Sequence, residues 1–258
     1  MKKPVTLYIL LLALSIGVLF LLNLFLGSVD IPFRSIWNIL WGMDEGESVI
    51  WQNIIWKSRV PQALTAMVAG AGLAVSGLQM QTVFRNPLAG PSVLGISSGA
   101  SLGVAFVVLL SGSIGGIALS RLGFMGEIAL TMAAIIGALS IMALIVYVSQ
   151  KVHGNVTLLI IGVMIGYVAN AVIGVLKFFS VEEDIRAYVI WGLGSFARVS
   201  GNQMMVFVCI MAVLLPLSFL LIKTLNLLLL GDAYARNLGL NIKRARLQVI
   251  ACSGVLVA

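Results

Sequence analysis

The chain has 258 residues, of which 60% are hydrophobic and only 10% are charged, against about 45 to 50% and about 25% in a typical soluble domain. This composition excludes a water-soluble globular fold, because the apolar runs are too long and too numerous for one water-facing core. The formal net charge of +7 does not indicate nucleic-acid binding, since the basic residues are spread between apolar runs. The sequence therefore predicts an all-α, polytopic membrane helix bundle.

Six apolar runs have close to the roughly 20 residues that a bilayer core requires. They cover residues 5–26, 60–82, 93–110, 124–148, 156–176 and 203–222. The first run follows Met1-Lys2-Lys3, and no small-residue cleavage pattern comes after it. We therefore interpret it as a retained span and not as a signal peptide.

A seventh apolar run begins near residue 247 and has twelve residues before the sequence stops. As a helix it would reach about 18 Å into a hydrocarbon core about 30 Å thick. A chain end inside the membrane is costly, so we expect either that this chain is a fragment or that other protein covers the last helix. The predicted fold class is six full transmembrane helices plus part of a seventh.

The charges between the runs predict the orientation in the membrane. With the N-terminus in the cytoplasm, eight of the nine acidic residues lie outside and Asp232 alone lies inside. Nine of the sixteen basic residues are then inside: Lys2, Lys3, Arg85, Lys151, Lys223, Arg236, Lys243, Arg244 and Arg246. The positive-inside rule favours this orientation, and we expect a multi-pass protein of the cytoplasmic (inner) membrane with a cytoplasmic N-terminus.

Two cysteines and one histidine provide little chemistry. Cys209 and Cys252 each lie inside an apolar run without a CxxC neighbour, which predicts packing residues. His153 stands in a short polar connection beside Lys151 and is interpreted as a loop residue. No metal site is predicted.

Glycines recur at a spacing of four in two of the predicted spans: Gly95, Gly99 and Gly103 in the third, and Gly162 and Gly166 in the fifth. Such ladders let helix backbones approach closely in lipid. Ordinary helix packing explains them, and an alternative role for Ser97, Ser98 and Ser101 in lining a pathway stays open.

The second and third runs are separated by Arg85-Asn86-Pro87-Leu88-Ala89-Gly90-Pro91-Ser92. Two prolines and a glycine within five residues cannot continue a helix, so the backbone turns here. The turn is unusually specific for a connector, which points to a transporter.

The inner segment after the sixth run contains residues 231–239. It predicts a short helix with Asp232 near its start and Gly239 placed to stop it. Small residues at Ala233 and Ala235 with an exposed Tyr234 suit a helix that docks in a cleft. A surface linker is the alternative.

Four stretches, in chain order, resemble the membrane permeases of type II ABC importers for iron-siderophores, haem and cobalamin (the FecCD-like permease family). They are Arg59-Val60-Pro61 leading to residues 69–74, Ser76-Gly77 and Gln81; Asn86-Pro87-Leu88-Ala89 with Pro91, Leu94-Gly95-Ile96-Ser97 and Gly99-Ala100; Trp191-Gly192-Leu193-Gly194-Ser195; and residues 231–239 ahead of Arg244. The similarity covers essentially the whole chain.

The resemblance implies a homodimeric permease with ten helices per subunit, two cytoplasmic ATPase subunits and a periplasmic or lipid-anchored binding protein. The permease is then not an enzyme and binds no cofactor, while ATP and magnesium belong to the ATPase. Residues 1–258 form one permease domain, in which 59–200 match the first inverted-repeat half and 225–243 the cytoplasmic coupling segment. By the same resemblance, we expect most of the second half to be absent from these 258 residues. Iron-siderophore is the expected cargo, with haem and cobalamin as alternatives.

The resemblance also implies roles for individual residues. ATPase coupling falls to Gly231, Asp232, Ala233, Tyr234, Ala235, Arg236, Leu238 and Gly239, and the cytoplasmic gate to Asn86, Pro87 and Leu88 facing Gly154 and Asn155. Arg59 matches an arginine that docks the binding protein, and Lys57 could substitute for a second arginine that is Gln62 here.

Lys177 closes the fifth predicted span. It either reaches the membrane interface or faces the translocation path, where it would favour an anionic chelate. Two alternatives remain: an ion-coupled transporter, with Glu127 as its acidic candidate, and a membrane fragment that has the permease fold but does not transport.

Overall fold

The computed structural model describes residues 5–43, 46, 48–114, 124–152 and 154–258, and within them every regular element is a helix. This confirms the predicted all-α class. The helices are α1 (Val5–Phe25), α2 (Phe33–Leu40), α3 (Val49–Ile54), α4 (Val60–Phe84), α5 (Ile96–Ile114), α6 (Phe124–Lys151), α7 (Asn155–Phe178), α8 (Glu182–Gly192), α9 (Gly201–Phe219), α10 (Ile222–Leu229), α11 (Asp232–Asn237) and α12 (Ile242–Val257).

Five helical stretches in these described residues are long and apolar enough to cross a membrane: Val5–Phe25, Val49–Phe84, Gly126–Lys151, Val156–Phe178 and Gly201–Phe219. The apolar part of α5, Ile96–Leu110, is shorter. Each of the six predicted spans therefore falls on a helix.

Several helix ends differ from the sequence-based boundaries, and three of them have a clear local feature. The third span starts at Ile96 and not at residue 93, because Gly95 has φ +75° and ends a series of turns. The sixth ends at Phe219, where a short break precedes α10. The last helix starts at Ile242, because the Asn241 side chain accepts a hydrogen bond from the Arg244 N–H and caps it.

The second predicted span is extended at its N-terminal side. Helix α3 passes into a π-helical turn, Ile55–Arg59, and from there into α4. Pro61 lacks the N–H that a regular helix would use, and a π turn just before it allows the chain to stay helical. The helical stretch therefore begins at Val49, eleven residues before the start at residue 60 that the sequence predicted.

The chain divides into two compact units, of which the first contains Met1–Ala69 with Ser195–Ile210. Its hydrophobic core consists of Ile31, Ile36, Ile39 and Ile55. The short helix α2 is amphipathic: it buries Ile36 and Ile39 and leaves Trp37 exposed. This core positions the π turn that carries Lys57 and Arg59.

The second unit contains Gly70–Gly194 with Met211–Ala258, and small residues let its helices pack closely. A Cβ added to Gly137 of α6 would lie 2.2 Å from the Gly99 carbonyl oxygen of α5. One added to Gly95 would lie 3.0 Å from the Gly162 carbonyl oxygen of α7. The packing role predicted for the glycine ladders is confirmed.

Helix α12 is anchored in this second unit. It buries Val249, Ile250 and Leu256. The hydroxyl oxygen of Ser253 lies 2.5 Å from that of Ser76 on α4, and both side chains are buried. A hydrogen bond between buried hydroxyls satisfies two groups that would otherwise be costly to desolvate.

Candidate gate and coupling helix

The predicted gate begins where α4 ends, in a Schellman motif. The Asn86 N–H bonds the Gln81 carbonyl and the Arg85 N–H bonds the Thr82 carbonyl. The residue in the left-handed position is Arg85, with φ +50°, the one described non-glycine residue with positive φ. An arginine therefore stands where this motif usually has glycine.

The turn that follows is ordered by Asn86. Its side-chain oxygen accepts a hydrogen bond from the Leu88 N–H at 2.9 Å, and its carbonyl accepts one from the Ala89 N–H at 3.0 Å. Ala89 is buried, whereas the Leu88 side chain is 87% exposed. The turn thus holds an apolar side chain outward on a rigid backbone.

The second gate segment leads into α7. Gly154 has φ +113° and forms the N-cap of this helix, which begins at Asn155. Leu158, one turn further, is buried in the same hydrophobic cluster as Ala89. The two predicted gate segments are therefore anchored on one core. His153 lies outside the described residues.

Residues 231–239 form the short helix predicted from the sequence. Helix α11 begins at Asp232 and ends in a second Schellman motif, in which Gly239 has φ +85° and the Leu240 N–H bonds the Ala235 carbonyl at 3.0 Å. The stop signal assigned to Gly239 is confirmed.

The two faces of α11 differ. Ala233, Tyr234, Arg236 and Leu238 are exposed, but Ala235 is 0% exposed within the hydrophobic cluster. The expectation that Ala235 shares a docking face with Ala233 does not fit this packing. Ala235 instead holds the helix against its own subunit.

The sequence did not predict the charge network at the start of α11. Arg85 Nη2 donates to Asp232 Oδ1 at 2.5 Å and to the Leu228 carbonyl of α10 at 3.3 Å. Arg246 of α12 donates to the other oxygen of Asp232. One sequence signal could have found it: Asp232 is the single acidic residue on the side predicted to be cytoplasmic.

The residues suggested for a pathway separate into two groups. Ser97 is exposed, and Ser98 packs against Gly166 of α7. Ser101 and Lys177 meet at Tyr188 of α8, a residue the sequence analysis did not select. The Lys177 Nζ lies 4.8 Å from the centroid of the Tyr188 ring, and the Tyr188 side chain interacts with the Ser101 hydroxyl.

Arg59, predicted to dock a binding protein, is bound within its own unit. Its side chain is only 5% exposed and donates to the carbonyls of Leu24 at 2.6 Å, Phe25 at 3.2 Å and Val29 at 2.5 Å. The bonds to Leu24 and Phe25 satisfy the last carbonyls of α1. Lys57, two residues earlier in the same π turn, is exposed.

The described residues contain no group of three or more metal-ligating side chains. Cys252 is partly buried with its Sγ 3.6 Å from Gln79 Nε2. Cys209 is exposed on α9, so its interpretation as a packing residue does not hold within this chain.

The five membrane-length helical stretches of the described residues define a multi-pass membrane protein. Residues 12–258 match the FecCD transport family. The chain belongs to this family, as the resemblance predicted.

Two curated relatives are similar over most of this chain. The hemin transport system permease protein HmuU of Yersinia pestis is 35% identical over 233 residues, which are 90% of this chain and 66% of the relative. The vitamin B12 import system permease protein BtuC of Serratia proteamaculans is 35% identical over 251 residues, or 97% of this chain and 69% of the relative. The chain thus spans about two thirds of their length.

A solved structure, described as an inward-facing conformation of a metal-chelate type ABC transporter, has the same fold. The superposition has a TM-score of 0.77 at 28% identity and covers 99% of this chain and 74% of the other.

Proposed function

We propose that this chain is the permease subunit of an ATP-driven importer that moves a metal chelate across the cytoplasmic membrane. It receives the chelate from a periplasmic or lipid-anchored binding protein, and its N-terminus lies in the cytoplasm. Two cytoplasmic ATPase subunits bind ATP and magnesium and hydrolyse the nucleotide. The permease itself binds no cofactor and catalyses no reaction.

The observation that carries the proposal is the exposed face of α11. A helix of six residues is too short to be stable alone, and α11 is held by the buried Ala235 at one side. Its other side presents Tyr234 and Leu238 to solvent. Large side chains held outward on a fixed short helix suit docking in a cleft of a partner subunit.

The gate proposal rests on Leu88. Its 87% exposed side chain on an ordered turn would be buried if two copies of the permease met there. We therefore propose a homodimer in which Asn86, Pro87 and Leu88 close the inner end of the path with Gly154 and Asn155. The division into a repeat half, 59–200, and a coupling segment, 225–243, stays a prediction.

The cargo is proposed as a class. Among the relatives, one is named for hemin and one for vitamin B12. Iron-siderophore, the cargo expected from the sequence, therefore stands beside haem and cobalamin as one of three metal chelates to test.

The test is uptake by proteoliposomes that contain the permease with its ATPase and binding protein. We expect ATP-dependent accumulation of one of the three labelled chelates, and no accumulation when the ATPase subunit carries a substitution that blocks hydrolysis. Uptake driven by an ion gradient without ATP would contradict the proposal. So would failure of the permease to bind any ATPase under conditions in which a relative does.

A further inference from the structure

We propose that Arg85 is a positioning residue that ties the gate turn to the coupling helix through Asp232, with Arg246 as the second anchor. This inference rests on the proposed function, since it assigns a direct contact between the two elements that an ATP-driven permease must coordinate.

The Arg85 backbone lies in the left-handed region, with φ +50°. The left-handed conformation is unfavourable for a residue with a Cβ, and glycine would occupy this C′ position without strain. The Arg85 side chain uses that conformation to reach acceptors on two elements far away in sequence, Asp232 and the Leu228 carbonyl. A requirement for this side chain explains why glycine is not there.

Those two acceptors lie on either side of the junction between α10 and α11. Leu228 belongs to the last turn of α10, and Asp232 is the first residue of α11. Between them stands Gly231, with φ +108°, and Gly239 follows α11 with φ +85°. Helix α11 is therefore bounded on both sides by a glycine with positive φ. The Arg85 guanidinium spans the first of these, Gly231, by binding Leu228 before it and Asp232 after it.

The Asp232 carboxylate is shared by two arginines. The two oxygens of Asp232 bind arginines from two different elements, Arg85 after α4 and Arg246 in α12. The Arg85 and Asp232 side chains are 40% and 35% exposed, and ion pairs at such exposure add little to stability. These ion pairs instead fix how the elements they join are oriented, because a planar guanidinium sets the direction of a hydrogen bond as well as its distance.

Together these contacts connect α11 directly to the gate turn. When nucleotide-driven closure moves α11, Asp232 moves with it and pulls Arg85, the residue immediately before Asn86 of the gate turn. This connection is of the kind that couples two sites by favouring one arrangement of both.

The experiment compares Asp232→Asn, Arg85→Gln and the double variant with wild type in the assembled importer. Lys223→Gln is the matched control, because Lys223 is an exposed basic residue of α10, on the side predicted to be cytoplasmic and outside the coupling segment 225–243. We expect each single variant to bind the ATPase and to unfold at the wild-type temperature, but to move about 10-fold less chelate per ATP hydrolysed. The double variant should lose no more than the singles, because both act through one contact.

A conservative variant separates positioning from charge alone. Arg85→Lys keeps the charge but loses the fork that serves two acceptors, so we expect it to remain impaired. Wild-type transport per ATP in Asp232→Asn, or losses that multiply in the double variant, would overturn the inference while leaving the proposed function intact.

A second measurement does not depend on cargo. In a variant with Cys209 and Cys252 replaced, we introduce Leu88→Cys and follow its labelling by a maleimide with and without ATP on the ATPase subunits. We expect ATP to change the labelling rate, and Asp232→Asn to abolish that change. If the change persists in Asp232→Asn, the gate turn does not follow α11 through this contact. If no chelate is taken up by wild type, the proposed function fails and the labelling result still decides the inference.

Discussion

Gly103 of α5 lies so close to α6 that a Cβ added to it would stand 2.1 Å from the carbonyl oxygen of Ala133. No side-chain rotation can relieve such an overlap, because the obstacle is backbone. The two helices are held together at this point by the absence of a side chain, which in lipid is a main source of helix association.

The first prediction is that Gly103→Ala destabilises the protein. Forcing α5 and α6 apart should cost about 1–3 kcal/mol, as overpacking does elsewhere. The measurement is thermal unfolding in detergent. Gly174→Ala is the control, because nothing lies within 4 Å of a Cβ at Gly174 in α7, and there we expect stabilisation by about 0.5–1 kcal/mol. Equal unfolding temperatures for the two variants would refute the packing argument.

The second prediction separates structure from docking at Arg59. Arg59→Gln removes the charge-assisted bonds to the carbonyls that end α1, so we expect a loss of about 1.5–3 kcal/mol in stability. Lys57→Gln, at an exposed position, should leave the unfolding temperature unchanged and weaken association with the binding protein. Unfolding and binding-protein association are measured for both. If Arg59→Gln keeps the wild-type unfolding temperature but no longer associates with the binding protein, Arg59 has the docking role that the family resemblance implied.

The helices and the stop at Gly239 were predictable because they depend on neighbours in sequence. Hydrophobic length, proline and glycine signals act within a few residues, and the glycine ladders of α5 and α7 follow from spacing alone. The errors at residues 60 and 93 arose where a π turn and a left-handed glycine shifted a helix start. Such backbone adjustments leave weak local signals.

The contacts of the candidate site could not be predicted in this way. Arg85 and Asp232 are 147 residues apart, and Arg59 reaches back 35 residues to Leu24. Their pairing depends on which helices pack together, and a single sequence contains no direct record of that. The burial of Ala235 is similar, because a helix of six residues has too few turns for its apolar face to be read from periodicity.

The third prediction concerns Lys177. Its ammonium lies over the Tyr188 ring, which Ser101 contacts from α5, so a cation is held at a defined place beside α5. If this cluster faces the translocation path, Lys177→Met raises the KM for an anionic chelate several-fold, whereas Lys177→Arg stays near wild type because it keeps the charge. The check is ATP-dependent uptake across a range of chelate concentrations. Unchanged uptake by Lys177→Met would assign the lysine to the membrane interface instead.

The fourth prediction compares a substitution on the exposed face of α11 with one on its buried face. Leu238→Asp places a charge on the exposed face, so we expect the variant to fold normally and to lose association with the ATPase, since burying an unpaired charge in an interface is strongly unfavourable. Ala235→Trp acts on the opposite face. Because Ala235 is fully buried, the indole should lower the unfolding temperature before any partner is added.

The measurements for this pair are co-purification with the ATPase and thermal unfolding of the permease alone. Lys223→Gln, outside α11 and outside the coupling segment 225–243, controls for a general effect of altered cytoplasmic charge on assembly. An Ala235→Trp variant that unfolds like wild type and fails only to bind the ATPase would place Ala235 on the docking face after all. A Leu238→Asp variant that still binds would move the docking surface away from α11, because no partner cleft tolerates both an apolar side chain and an unpaired carboxylate at the same buried position.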